Sequence, residues 1–188
     1  MTEQPPLASE LQTARLMLRP YRFTDVPEMH DYLQVPAARN FLENADTTLT
    51  VQQIEAIIAR HLLVDPRERC VWAITRDSRP MGAITINFEK QSRIAEIGYH
   101  ISQRLWGQGY ASEAANAVVN AAFTTRTQLQ RIQAHIHPEN TASIRVAERT
   151  GMRYEGTLRC YAYIAGEPAD EAVYAVLRSD WQHPGQPE

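Results

Sequence analysis

Arg104-Leu105-Trp106-Gly107-Gln108-Gly109 stands between a predicted strand and a predicted helix, and this stretch decides the fold of the chain. The first turn of a helix leaves backbone N–H groups without partners, and the helix dipole adds roughly half a positive charge there. Gly107 and Gly109 carry no Cβ atom, so a phosphate can approach those N–H groups closely. The stretch therefore predicts a turn that can hold a pyrophosphate at the start of a helix.

Two glycines in three residues also fit a plain helix cap, and the pattern alone does not separate the two interpretations. The stretch is not a nucleotide-binding P-loop, since no Gly-Lys-Ser or Gly-Lys-Thr follows. It is not a dinucleotide-binding fingerprint either, because a third glycine is missing and the preceding strand is not the first of the chain. The sequence around the turn is therefore needed to choose between a phosphate-binding turn and a plain helix cap.

The sequence on both sides of the turn predicts alternating strands and helices. Residues 94–101 are expected to form the strand before it, and the helix after it carries one apolar stripe at helical spacing. The stripe consists of Ala111, Ala114, Ala115, Val118, Val119, Ala122 and Phe123. Further strands are predicted over residues 15–19, 70–75, 81–86, 131–136, 152–164 and 171–178. Strand pairs mixed with one strand-helix-strand crossover predict an α+β fold with a mixed sheet.

Capping signals place the other helices. Asp25, with Glu28 three residues later, predicts one helix start, and Thr50-Val51-Gln52-Gln53 is a capping box that predicts another. A short helix is expected from Asn140 or Thr141, and Gly151 ends it. The polar residues 77–80 predict a hairpin turn longer than two residues.

Length and composition predict a single globular domain. The 188 residues are 44% hydrophobic and 22% charged, with a formal net charge of −3. A negative charge without a run of Lys and Arg argues against a nucleic-acid partner. Cys70 and Cys160 have no CxxC partner, so two reduced thiols are expected. We expect flexible tails over residues 1–10 and 183–188 and one domain over residues 11–182.

The N terminus shows no signal peptide, and no apolar run approaches the ~20 residues that a membrane span needs. A cytoplasmic protein without a membrane partner is therefore expected. His135 and His137 have no third ligand at metal spacing, so no metal is expected.

The motifs around the turn resemble the GNAT N-acetyltransferase superfamily. Its pyrophosphate loop reads Gln/Arg-x-x-Gly-x-Gly/Ala, and residues 104–109 fit each fixed position. The longer stretch over residues 97–114 resembles the RimJ/RimL-type branch, the ribosomal-protein N-terminal acetyltransferases. Residues 13–20, 138–146, 150–152 and 170–174 match further motifs of this branch in the right order. The resemblance covers about residues 12–181.

The resemblance implies the fold, the acyl donor and the residues that bind it. The implied fold is a twisted, mostly antiparallel mixed sheet, flanked by helices, whose central strands splay apart so that acetyl-CoA lies in the gap. A backbone N–H near His100 or Ile101 would bind the thioester carbonyl, and Asn140 would contact the cofactor arm. The implied acetyl-CoA-binding residues are Tyr99, His100, Ile101, Arg104, Leu105, Trp106, Gly107, Gln108, Gly109, Tyr110, Ala111, Asn140 and Ser143.

The general acid and base are left open by the resemblance. Many family members carry a Tyr four residues before the glycine that ends the short helix, and this chain has Ala147 there. Ser143 is the best local substitute as an acid, although its hydroxyl can equally bond the cofactor or the helix backbone. Glu96 and Asp170 are the candidate bases, and a structural carboxylate is the alternative for each. For His100, packing among apolar neighbours is a simpler interpretation than titration near neutral pH.

The predicted reaction is acetyl transfer from acetyl-CoA to a primary amine by direct attack on the thioester. The leading acceptor is the N-terminal α-amino group of a protein or peptide, and the alternative is a small amine such as a polyamine, an antibiotic or an amino-acid analogue. A non-catalytic acyl-CoA-binding module and a nucleotide-phosphate binder are alternatives from other classes. A homodimer is expected from the resemblance only.

Overall fold

The computed structural model describes residues 5–35, 48–89, 93–164 and 166–181. In these ranges the strands are β1 Leu11–Gln12, β2 Met17–Arg19, β3 Arg69–Arg76, β4 Arg79–Phe88, β5 Ile94–Ile101, β6 Arg131–Ile136, β7 Arg153–Ile164 and β8 Glu167–Leu177. The helices are α1 Val26–Leu33, α2 Val51–Leu62, α3 Tyr110–Thr125 and α4 Thr141–Arg149, with short 3-10 turns at Phe23–Asp25 and Gln103–Leu105.

The described strands form one eight-stranded sheet in the order β1-β2-β3-β4-β5-β6-β8-β7. Neighbouring strands are antiparallel except for β5 and β6, which are parallel and joined by the crossover helix α3. A parallel pair needs such a long crossover, whereas an antiparallel pair can be joined by a short turn. The prediction of a mixed, mostly antiparallel sheet flanked by helices is confirmed.

Helices cover both faces of the sheet, and each face has its own hydrophobic cluster. On one face α3 packs its apolar stripe against residues such as Trp72 and Ile84. On the other face α1 and α2 pack Met29, Ile54 and Ile58 against the small residues of β3 and β4. Six residues of the predicted α3 stripe are buried, and the seventh, Ala111, is half-buried because it borders a cavity.

Two local predictions need correction. The turn between β3 and β4 has two residues, Asp77 and Ser78, with φ angles of 50° and 65°. Positive φ at both central residues is typical of the type I′ turn, whose twist matches that of a hairpin. Asp25 does not cap α1 with its side chain. Its carboxylate instead accepts hydrogen bonds from the buried Arg19 guanidinium, both at 2.8 Å, because a buried charge needs a partner more than a helix end does.

Of the two expected tails, the structure describes residues 5–10 of the N-terminal one and no residue of the C-terminal one. Leu7 is 5% exposed, and the indole N–H of Trp72 donates to the Ser9 carbonyl at 3.1 Å. These contacts hold residues 7–9 against the domain, inside the segment expected to be a flexible tail. Residues 1–4 and 183–188 lie outside the described residues. Within the described ranges, no helix is long and apolar enough to cross a membrane.

Candidate active site

The centre of the sheet splits between β5 and β6. Their parallel pairing covers three residue pairs and ends at Glu96 and Gln133. β5 continues to Ile101 and β6 to Ile136, so the two strands separate beyond this point. The splay implied by the resemblance is thus confirmed. Backbone N–H and C=O groups at an open strand edge can bind an extended ligand in the manner of an added strand.

The glycine turn lies at the open end of this split. Gly107 and Gly109 have φ angles of 74° and 79°, in the left-handed region that glycine adopts without steric cost. Gly109 is the N-cap of α3, and the Glu113 N–H closes the first turn by donating to its carbonyl at 3.0 Å. The three N–H groups between these residues have no acceptor inside the helix. The loop therefore offers several backbone donors and the positive end of the α3 dipole to an anion.

A side-chain clamp from the N-terminal segment supports the turn. The Arg15 guanidinium donates to the Glu113 carboxylate at 2.6 Å and to the Gln108 carbonyl at 3.1 Å, and it lies 4.4 Å from the ring centre of Tyr110. The Thr13 hydroxyl donates to the other oxygen of Glu113 at 2.6 Å. Burial acts to raise the pKa of Glu113, but the hydrogen bonds from Thr13 and Arg15 lower it overall. No sequence pattern predicts this clamp, because only the fold brings residues 13–15 to α3.

A cavity of about 720 Å³ runs from the glycine turn through the split of the sheet. Cavities of this size are typical of small-molecule and cofactor sites. The implied cofactor-binding residues that line it are Tyr99, His100, Ile101, Leu105, Trp106, Gly107, Gly109, Tyr110, Ala111, Asn140 and Ser143.

Two of the implied cofactor-binding residues lie outside this lining. The Arg104 guanidinium is 3.1 Å from the Asp31 carboxylate on α1, and the side chain is 74% exposed. The side chain of Gln108 donates to the Arg104 carbonyl at 3.3 Å. Both side chains therefore stabilise the outside of the turn, while the backbone of the loop faces the cavity.

Two residues with hydroxyl groups meet at one wall of the cavity, Ser143 from the start of α4 and Tyr99 from β5. The Asn140 side chain caps the helix by accepting from the Ser143 N–H at 3.1 Å, and the Tyr99 hydroxyl donates to the Ser143 carbonyl at 2.9 Å. Burial raises the pKa of Tyr99, so its hydroxyl keeps its proton. Ala147 is fully buried one turn further along. Tyr99 and Ser143 thus both line the cavity, and Ser143 lies one helical turn before Ala147.

The two carboxylates predicted as bases are placed differently. Asp170 lies outside the cavity lining, and its carboxylate accepts from the Cys160 N–H at 2.9 Å. Glu96 also lies outside the lining, at the closed end of the split. Burial raises the pKa of Glu96, an effect that His135 opposes and Glu171 reinforces. The Asp170 carboxylate thus holds the backbone at a bulge of β7, and neither predicted base is part of the cavity lining.

Glu171, one residue after Asp170, lines the cavity, as does Glu139 just before α4. One Glu171 oxygen is 2.8 Å from the His135 Nδ1 atom, and His135 also lines the cavity. Sequence analysis did not select Glu171. The alternation of β8 places Asp170 and Glu171 on opposite faces, and a residue pattern does not tell which face meets the split.

The face of the split opposite α3 holds a cluster of polar rings, in which Tyr21 and Tyr32 are buried and His61 and His100 are half-buried. The rings of His100 and Tyr32 have centres 5.8 Å apart, and those of His61 and Tyr21 5.7 Å. Burial lowers the pKa of His100 to about 4, and burial with nearby Arg69 and Arg60 lowers that of His61 to about 4. Both imidazoles are therefore neutral at pH 7, which agrees with the expectation that His100 packs.

Comparison with known proteins identifies the class. Residues 15–153 match the family model of the acetyltransferase (GNAT) domain. The chain belongs to the GNAT acetyltransferase family and is an N-acetyltransferase.

Its relatives include several N-acetyltransferases. The uncharacterized N-acetyltransferase YoaA of Bacillus subtilis is 31% identical over 174 residues, which cover 89% of this chain and 96% of the relative. The uncharacterized N-acetyltransferase p20 of Bacillus licheniformis is 28% identical over 174 residues, with 91% and 97% covered. The [ribosomal protein uS5]-alanine N-acetyltransferase of Escherichia coli is 34% identical over 86 residues, which cover 45% of this chain and 43% of that enzyme.

Solved structures share the fold along most of the chain. A GNAT-family acetyltransferase from Bacillus anthracis superposes with a TM-score of 0.79 at 26% identity, covering 90% of this chain and 99% of that one. RimJ of Mycobacterium smegmatis, solved in complex with CoA-disulfide, superposes with a TM-score of 0.81 at 24% identity, covering 90% and 88%. The expectation of a GNAT fold is confirmed.

Proposed function

We propose that this enzyme transfers the acetyl group of acetyl-CoA to the N-terminal α-amino group of a protein or peptide. The observation that carries the proposal is the single cavity that joins the backbone donors of the glycine turn to the open edge of β5. Such a cavity can hold the pyrophosphate at one end and place the thioester at the split of the sheet. The residues around the cavity fit acetyl-CoA, and no metal is needed for this chemistry.

The reaction needs an oriented thioester, a polarised carbonyl and a path for protons. The α3 N terminus and the edge of β5 would hold and orient the donor, and a backbone N–H near His100 or Ile101 would polarise its carbonyl. The hydroxyl of Ser143 or Tyr99 would give a proton to the leaving thiolate, since both lie on the α4 side of the cavity.

Two observations support an α-amine as the acceptor. The E. coli enzyme that matches part of this chain is named for an alanine of ribosomal protein uS5, and alanine has no amine in its side chain. Two exposed aromatic side chains of β7 suit contact with a polypeptide: Tyr163, 62% exposed, lines the cavity, and Tyr161, 60% exposed, lies against the ring of His135. An α-amino group also has a pKa near 8, about two units below that of lysine, so more of it is neutral at pH 7.

The test measures release of free CoA thiol with a panel of N-terminal peptides and small amines. Each peptide is paired with a control of the same sequence that has a blocked α-amine and an intact lysine. We expect turnover with free N termini and none with the blocked controls. Turnover confined to a small amine would overturn the proposed acceptor, and acetyl-CoA binding without turnover on any amine would contradict the proposed reaction.

A further inference from the structure

A continuous chain of side-chain hydrogen bonds runs across three strands and ends in the cavity. Glu155 on β7 accepts two hydrogen bonds from the Arg131 guanidinium, at 2.7 and 2.5 Å. The Arg131 Nε–H donates to the Gln133 Oε1 atom at 2.9 Å. The Gln133 Nε2 atom is 3.2 Å from the His135 Nε2 atom, and the His135 Nδ1 atom is 2.8 Å from a Glu171 oxygen.

The chemistry of the groups fixes the direction of every bond in this chain. Arg131 has only donors, so Gln133 must turn its oxygen to Arg131 and its NH₂ group to His135. The His135 Nε2 atom must then accept, which leaves the ring proton on Nδ1. The Nδ1–H therefore donates to the Glu171 carboxylate.

The Gln133 NH₂ group also selects one form of the His135 ring. An N–H on Nε2 would lie against this NH₂ group and would lose the bond. The Glu171 carboxylate is thus held by the Nδ1–H of His135. The side chain of His135 is 11% exposed and that of Glu171 is 22% exposed, so solvent screens the pair only partly.

The position of Glu171 suits contact with an acceptor amine. Glu171 and His135 line the same cavity as the open edge of β5. The ionisable groups facing the pair are Glu96 from β5, near the closed end of the split, and Tyr161 from β7, whose ring centre is 5.2 Å from that of His135. Burial and the nearby Glu171 raise the pKa of Glu96, and His135 opposes this effect.

We propose that Glu171 is the catalytic base that takes a proton from the acceptor ammonium group, with His135, Gln133 and Arg131 as positioning residues. This inference rests on the proposed function. The Glu171 carboxylate removes one proton from the ammonium group, and the free amine attacks the thioester carbon. The new N–C bond forms as the C–S bond breaks. A hydroxyl on the α4 side protonates the thiolate, and water carries the second amine proton to that hydroxyl to restore it. Glu171 then returns its proton to solvent.

The first test compares Glu171→Gln with Glu167→Gln, an exposed carboxylate of the same strand outside the cavity lining. We expect E171Q to lose about 100-fold in kcat/KM for the amine, within the range for removal of a general base. On the acidic side of the E171Q profile of kcat/KM against pH, we expect only the ionisation of the amine substrate to appear. E167Q should keep the rate and profile of the wild type.

The second test distinguishes a positioning role of His135 from a general effect of its substitution on the folded structure. An Asn amide can place its NH₂ group where His135 has Nδ1, whereas a Gln amide places its NH₂ group where His135 has Nε2. We therefore expect H135N to keep kcat/KM within a few-fold and H135Q to lose about tenfold, as is common when a supporting hydrogen bond is lost. KM for acetyl-CoA should stay unchanged in both.

A third measurement needs no acceptor. Nitrogen-15 NMR of the histidine rings reports the tautomer of His135, and we expect the neutral Nδ1–H form at pH 7 in the wild type. An Nε2–H form or an imidazolium would overturn the hydrogen-bond direction argued above.

The outcomes distinguish the two proposals. E171Q with wild-type kcat/KM overturns Glu171 as the base and leaves the proposed function standing. Wild-type protein that binds acetyl-CoA by calorimetry but releases no thiol with any amine overturns the proposed function and the base together. An equal loss in H135N and H135Q overturns the positioning role of His135.

Discussion

Two glycines in the left-handed conformation bring the chain into α3 with its first N–H groups directed at the cavity. An L-residue in this conformation costs roughly 1–2 kcal/mol, because its Cβ atom crowds the following carbonyl oxygen. The only side chain within 4 Å of a Cβ placed at Gly109 is Arg15, at 3.6 Å, so space is less restrictive there than backbone conformation. The turn therefore depends on glycine for its geometry.

Gly109→Ala should weaken coenzyme A binding. We expect about a tenfold rise in Kd, equivalent to about 1.4 kcal/mol, since the strained residue shifts the donors of the α3 N terminus. The matched control is Gly166→Ala in the β7–β8 turn, where φ is 82°. Both variants should lose similar stability in urea unfolding, but calorimetry should detect weaker binding in G109A only. Equal affinities would contradict the role given to this turn.

At this scale a residue pattern predicts the conformation of the glycine turn but not the position of Glu171. Gly107 and Gly109 have positive φ angles, a local property of the backbone. The position of Glu171 depends on which face of β8 meets the split and on a partner, His135, 36 positions away. Asp170 carries the same type of charge one position earlier and attracted the prediction instead.

The element that most depends on its neighbours is α3. Its C-terminal part packs on the sheet through the apolar stripe, while its first turn is held by Arg15 and Thr13 through Glu113. The Arg15 side chain is 46% exposed and that of Glu113 17%, so the ion pair contributes modestly to stability. Its main effect is expected on the orientation of the helix start.

Arg15→Met should therefore change binding more than stability. We expect Kd for coenzyme A to rise about threefold while the free energy of unfolding falls by less than about 1 kcal/mol. Arg153→Met is the control, since Arg153 is 78% exposed on β7. Calorimetry and urea unfolding measure the two quantities. A Kd unchanged from the wild type would mean that the clamp does not hold the turn.

Helix starts show what sequence patterns can and cannot predict at this scale. The Thr50 and Gln53 capping box forms as predicted, with hydrogen bonds of 3.3 and 2.8 Å, because both partners are local. The cap predicted at Asp25 does not form, because Arg19 lies beside it in the folded chain and competes for the carboxylate. Local signals fail where a tertiary partner offers a stronger interaction.

The stability of the whole molecule should depend on pH through His100. This residue has a pKa of about 4 in the folded protein and near 6.5 in the unfolded chain, and its ring centre lies 5.8 Å from that of Tyr32. The unfolded chain therefore binds more protons between these values, and stability falls as pH decreases from 6.5 towards 4. This contribution is fully present above pH 6.5.

His100→Asn should reduce this dependence. Between pH 7 and 4.5 we expect the wild type to lose up to about 2 kcal/mol more unfolding free energy than the variant. Urea unfolding at both pH values measures the difference. Identical losses in the two proteins would show that His100 is accessible to protons in the folded state.

The overall architecture followed from hydrophobic periodicity and the family motifs, since both report an order of elements that short connections then arrange. The register of the sheet did not follow, and it determines the site. One residue of slip in β8 would exchange the faces of Asp170 and Glu171, and no local pattern around them excludes that slip.

The split of the sheet has a mechanical consequence. Three residue pairs join β5 to β6, so the half formed by β1–β5 and the half formed by β6–β8 meet along a short seam. A molecule bound in the gap would contact both halves of the sheet and restrict their relative motion. Any acyl donor that fits should therefore stiffen the protein, and donors of different acyl length could be ranked by the rise in Tm they produce before any acceptor amine is known.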